Sequence, residues 1–157
     1  MRKTGEPMAL EELLTKETIT ELRIMYSHHF DARNLEGLVD LFTDDAVCEF
    51  GPDYGGDWVG KEQINNNFAQ YLQTSDRVPF GVLHAVTNPW IRLIDEETAN
   101  GRWYLHDLFT EEGQESPLGL YGIYDDLYKK VDGRWRIHRT RIDFLWPKRV
   151  YTGFREL

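Results

Sequence analysis

Five histidines, a few carboxylates and a set of phenols are the side chains whose types and spacing bear on chemistry. The histidines are His28, His29, His84, His106 and His138. His28 and His29 are neighbours, and on a helix they point about 100° apart, so they cannot face one ion together. No histidine pair has the spacing of a helical zinc site, and the single Cys48 rules out a Cys–His cluster. Neither a metal nor a cofactor is expected. Gly51 to Gly60 lacks the Walker spacing and does not end in Lys-Ser/Thr, which removes a phosphate loop, and no serine occupies a nucleophile-elbow context. A histidine with a carboxylate remains. His84 follows Phe80, Val82 and Leu83 and precedes Ala85 and Val86, an apolar setting in which its ring nitrogens need partners. Context alone leaves two readings open: a core histidine bonded to a backbone carbonyl, or a base. Asp31 closes an apolar pattern in Tyr26-Ser-His-His-Phe-Asp31, at the helix end where the dipole disfavours an anion. Something else should hold it there. Its plain alternative is a carboxylate that is solvated or bonded to the loop at Asn34. Spacing does not join Asp31 to His84.

The elements that must position these groups read as helices first and strands after. Residues 9 to 32 carry Leu10, Leu13, Leu14, Ile19, Leu22, Ile24, Met25, Tyr26 and Phe30 at threes and fours, which predicts a helix. A short helix over Leu35 to Phe42 follows, with Asn34 as its cap. Thr43-Asp-Asp45 ends the pair, and Ala46 to Phe50 reads as a strand. Gly51 to Asp57 is rich in turn residues, and Gly60-Lys-Glu opens a third helix through about Leu72. Pro89 to Ile94 and Arg102 to Phe109 flank Asp95 to Gly101 as a long antiparallel hairpin. Strands from Leu118 to Val131 and from Trp135 to about Trp146 are joined by a turn at Asp132-Gly133. This order predicts an α+β domain, with helices gathered on one face of a curved antiparallel sheet and a conical cavity between. Trp103, Trp135 and Ile137 read as core.

At 157 residues the chain suits one domain. An aromatic share of 13% would line a broad interior or an interface. The net charge of −9 argues against nucleic acid and against an anionic membrane surface. No apolar run is long enough to span a bilayer, and the N-terminus does not read as a secretory signal. One cysteine in an apolar run suits an inert buried thiol and a cytoplasmic protein.

Tyr26-x4-Asp31, His84-x4-Pro89, Gly101-Arg-Trp-Tyr-Leu105 and Tyr124-Asp-Asp-Leu-Tyr128-x3-Asp132-Gly133-x-Trp135-x-Ile137 together resemble the SnoaL-like branch of the nuclear-transport-factor-two-like superfamily. The resemblance covers about residues 9 to 145. Within the branch it is nearest to the bile acid 7α-dehydratases, and more distant from scytalone dehydratase and hexachlorocyclohexane dehydrochlorinase. It implies a cone-shaped α+β barrel, a hydrophobic ring-containing small-molecule substrate and a cofactor-independent elimination. It also implies a homo-oligomer built on the back of the sheet, a trimer ahead of a dimer. The catalytic tyrosine, aspartate and histidine of those lyases fall on Tyr26, Asp31 and His84. His84 would take a proton from a carbon next to a carbonyl, Asp31 would fix its tautomer, and Tyr26 would donate to the oxygen where charge grows. Five residues are about 500° of helix, so Tyr26 and Asp31 share a face only if the helix loosens before Asp31. Phe50, Tyr104, His106 and Tyr124 are expected around the substrate. Alternatives for His106 and Tyr124 are a surface histidine and a core tyrosine. The arginine that the bile acid enzymes carry late in the last strand falls on Phe144 here, with Arg139 and Arg141 nearby but out of register. The segment Trp146 to Phe154 is a candidate lid. The same base would serve an isomerase or a polyketide cyclase. A non-catalytic ligand-binding protein, or one like the small subunits of aromatic-ring dioxygenases, is the alternative of another class.

Overall fold

The first helix, α1 (Leu10–Asp31), turns one stripe inward: Ile19, Arg23, Tyr26, Ser27, Phe30 and Asp31 are buried at steps of three and four. In a computed structural model, which describes residues 3–153, this stripe packs into the concave side of the sheet. The first turns do not share in that burial. Leu10, Leu13 and Leu14 are exposed although their spacing continues the apolar pattern, and Ile24, next to buried Arg23, points away from the inward stripe. Arg33, with φ of 61°, turns the chain after α1. Asn34 then caps α2 (Leu35–Asp40), accepting the Gly37 amide at 3.1 Å.

The strands are β1 (Phe42–Glu49), β2 (Asp57–Val59), β3 (Val82–Leu93), β4 (Thr98–Phe109), β5 (Leu118–Val131) and β6 (Arg134–Trp146). A short 3-10 turn (Pro52–Tyr54) precedes β2, and α3 (Lys61–Thr74) separates β2 from β3. The sheet order is β2-β1-β6-β5-β4-β3. Two expectations are corrected here. The sheet is mixed, because β1 runs parallel to β6, and it is not closed into a barrel, because β2 and β3 remain edges. A parallel pair needs a long crossover, and β1 and β6 are separated by most of the chain. Register shifts within the β3–β4, β4–β5 and β5–β6 pairings mark bulges, which bend and twist the strands around α1. The second helix also ends earlier than its pattern suggested, since Phe42 to Asp45 already belong to β1.

Beneath the helices lies a buried polar chain. The Trp103 indole donates to the Tyr128 hydroxyl at 3.0 Å, and that hydroxyl donates to Asp126 Oδ2 at 2.6 Å. Thr140 donates to Asp126 Oδ1 at 2.6 Å, and Arg23 Nη1 stands 3.6 Å from Oδ2. On the opposite, convex face Arg141 joins Asp125 and Asp143 at 3.3 and 3.4 Å.

Candidate active site

Asp31 and His84 are brought together by the way α1 ends. Arg33 donates to the carbonyls of Arg77 and Ser75, tying the segment before β3 to the end of α1. The Phe80 amide donates to the Asp31 carbonyl at 2.7 Å, which satisfies one of the helix-terminal acceptors. Both carboxylate oxygens of Asp31 then go to one residue. Oδ2 accepts the His84 backbone amide at 2.9 Å, and Oδ1 meets the imidazole Nδ1 at 2.5 Å. A carboxylate with no proton only accepts, so Nδ1 carries the hydrogen and Nε2 is the nitrogen left to act.

Nε2 faces Asp107, whose Oδ1 lies 3.7 Å away and has no hydrogen-bond partner among the described residues. Burial works against protonating His84, but the hydrogen bond to Asp31 and the charge of Asp107 outweigh it and raise the imidazole above its usual range. Burial raises the Asp107 carboxyl, with His84 pulling the other way. Phe30 sets its ring edge against the imidazole at 4.4 Å between centroids.

His84 and Asp107 look into a cavity of about 60 Å³ whose walls are otherwise rings and aliphatic side chains, with no lysine or arginine among them. Tyr26, Phe50 and Tyr124 line it. The Tyr26 and Tyr124 rings meet edge to face, 6.0 Å apart between centroids. Tyr54 and Tyr71 also line it and are part-exposed, at 39% and 45%, so they form its mouth.

Three readings are corrected. His106 and Tyr104 do not reach the cavity. They point to the convex face, where His106 meets Thr87 at 3.3 Å and packs on Tyr121, and Tyr104 is 52% exposed. The strand's period of two decides this: Leu105 and Asp107 face inward, so 104 and 106 face out. Helix α1 does not loosen before Asp31, and it has no need to. Tyr26 lines the cavity while Asp31 stands behind His84, so the two need not share a face. Residues 147–153 run mainly along the convex side instead of over the cavity: Val150 pairs with Phe144 and Thr152 donates to Asp143, while Lys148 stands 3.6 Å from Asp53 near the mouth. Phe154 lies outside the described residues. Arg139 and Arg141 also face away, on Glu49 and on Asp125 and Asp143. Two residues of this region went unread in the sequence. Asp107 lies two steps of the strand alternation from Trp103, a core position; Arg23 carried no signal, since arginine is rarely buried.

Among the described residues no group of His, Cys, Asp and Glu is arranged to hold a metal, and no helix is long and apolar enough to cross a membrane. Burial pushes the Cys48 thiol up, away from reactivity.

Helices closing a curved, open sheet over an aromatic cavity with an oriented histidine define the class: an α+β fold of the nuclear-transport-factor-two or cystatin-like kind with an internal cavity. The chain belongs to the SnoaL-like domain family, whose model matches residues 11–141. Among solved structures it is similar to a scytalone dehydratase candidate from Novosphingobium aromaticivorans, at 26% identity and TM-score 0.75, over 92% of this chain and 97% of that one. It is also similar to the hexachlorocyclohexane dehydrochlorinase LinA-type3 from Novosphingobium barchaimii, at 19% identity and TM-score 0.72, over 94% and 98%. A cystatin-like protein of unknown function from Nostoc punctiforme matches at 20% identity and TM-score 0.73, over 90% and 97%. The last two likenesses speak for the fold alone.

Proposed function

We propose that this protein is a cofactor-independent lyase that eliminates water, or another small leaving group, from a hydrophobic ring-bearing molecule with an activating carbonyl. The observation that carries the reading is His84: its Nδ1 is clamped by Asp31 at 2.5 Å while its other nitrogen faces the cavity. Nε2 takes the proton from the carbon next to the carbonyl, and the C–H electron pair becomes the new double bond as the leaving group departs. For loss of water, the proton passes from Nε2 to the leaving oxygen on the same face of the ring, so the base is returned neutral. Asp31 keeps Nδ1–H throughout and stabilises the imidazolium with Asp107. The Tyr26–Tyr124 pair supplies the hydrogen bond to the carbonyl oxygen as negative charge moves onto it. An apolar cavity that admits benzene is about 150 Å³. A ring therefore enters only as Tyr54 and Tyr71 swing outward, and the mouth takes part in selection.

The test is a panel of cyclic β-hydroxy ketones, with the conjugated enone followed by its absorbance. Turnover is expected from the wild-type protein. His84→Ala and Asp31→Asn are expected to lose at least about a hundredfold, the size of a general-base contribution. Full turnover in both variants would sink the assignment of the base. A shifted double bond with no loss of water would redirect the reading to an isomerase with the same site.

A further inference from the structure

We propose that Arg23 is a positioning residue for the Tyr26–Tyr124 pair: a buried cation, one layer behind the cavity, that holds both rings and makes their hydroxyls better donors to a negatively charged oxygen. This rests on the reading that such an oxygen is bound against those phenols.

Arg23 is fully buried, yet its polar partners are poor. Asp126 is 3.6 Å away and Thr140 3.5 Å, while Nε and Nη2 have no hydrogen-bond partner among the described residues. A buried guanidinium so weakly paired is costly, and an apolar side chain of similar volume serves a core better. Asp126 does not require it either, because two hydroxyls already donate to its oxygens at 2.6 Å. The good contacts of Arg23 are with rings. Its guanidinium carbon is 3.3 Å from the Tyr124 centroid and 4.2 Å from that of Tyr26. Both rings line the cavity and Arg23 does not, so the phenols stand between cation and ligand.

A cation on a ring face draws electron density from the phenol, and a low-dielectric surrounding transmits its field further than water would. Burial raises both phenols, and Arg23 pulls against that rise. Several groups face this cluster. Asp126 and Tyr128 come from β5, Cys48 from β1, and His84 and Asp107 look across the cavity from β3 and β4. Asp126 offsets part of the positive charge, but Arg23 touches the rings directly. No other arginine or lysine lies against Tyr26 or Tyr124 among the described contacts.

The experiment uses 4-nitrophenol, whose phenolate is coloured and whose ionisation is read while bound to saturating protein. Relative to wild type, Arg23→Met is expected to disfavour the bound phenolate by about tenfold, one unit in the probe's pKa. Arg23→Lys, which restores the charge without the planar stack, is expected to recover most of that difference. Equal ionisation in wild type and Arg23→Met overturns the proposal, as does Arg23→Lys behaving like Arg23→Met, or a wild-type protein that does not bind the probe. Should Arg23→Met fail to fold, Arg23→Met with Asp126→Asn also removes the buried negative charge that the cation offset, and the same loss of phenolate is expected. No turnover is involved. A missing elimination activity would therefore remove the lyase reading and leave this result intact, and the reverse also holds.

Discussion

Asp107 and Asp126 sit on the inward faces of adjacent strands, Asp107 half-buried beside the cavity and Asp126 fully buried, and burial raises the pKa of each. Their surroundings differ. Asp126 accepts from Tyr128 and Thr140 and lies against Arg23, so both of its oxygens are satisfied. Asp107 leaves Oδ1 without a hydrogen bond, 3.7 Å from the free nitrogen of His84. The first is the pattern of a structural carboxylate. The second is an unmet acceptor kept beside an open cavity, a local cost that folding alone gives no reason to bear.

The sharpest way to break this comparison is to neutralise each carboxylate in turn. Asp126→Asn strands Arg23 and is expected to cost about 3–5 kcal/mol in urea denaturation. Asp107→Asn removes an unsatisfied charge and is expected to leave stability unchanged or slightly higher, while turnover falls. Equal stability losses in the two variants would erase the distinction.

A smaller effect is expected on the satisfied side. Tyr128→Phe deletes a hydroxyl that both accepts from Trp103 and donates to Asp126, leaving two buried polar groups short. About 1–3 kcal/mol should be lost, with the residual folded protein as active as wild type on the lyase panel.

The pH dependence gives the finest test. His84 is raised above 6.5 in the folded protein, and only its neutral form is a base. The rise of kcat/KM with pH should therefore centre above 6.5, and Asp107→Asn should move it down by removing one of the charges that favour the imidazolium. Stability follows the same group with a definite sign. The folded protein holds this proton more tightly than the unfolded chain, so the stabilisation is complete below pH 6.5 and fades as pH climbs through the folded value. Urea midpoints should decline across that window in the wild type, and His84→Ala should lack the decline. A midpoint flat in pH for both proteins would contradict the raised imidazole.

Much of the secondary structure was legible because it depends on neighbours in the chain. The helical period of α1, the Asn34 cap, the long hairpin of β3 and β4 and the bounds of β5 all follow from local spacing and turn chemistry. His84 and Asp31 were found by resemblance, since nothing in their spacing relates residues 53 positions apart. Asp107 was within reach of the sequence: once Trp103 is read as core, strand alternation carries 105 and 107 inward and turns 104 and 106 out. The rule was available, but His106 drew attention by its chemistry instead of its parity.

By itself, then, the sequence determined the order of helices and strands and roughly their bounds, because those are set within a few residues by backbone geometry and the burial of apolar side chains. The tertiary structure decided what stands opposite what. It laid β1 parallel to β6, set Asp107 3.7 Å from a histidine on the neighbouring strand, and enclosed Arg23 behind two tyrosines. Each of these depends on contacts between elements far apart in the chain, where packing and long-range electrostatics select one arrangement and local spacing carries no information about it.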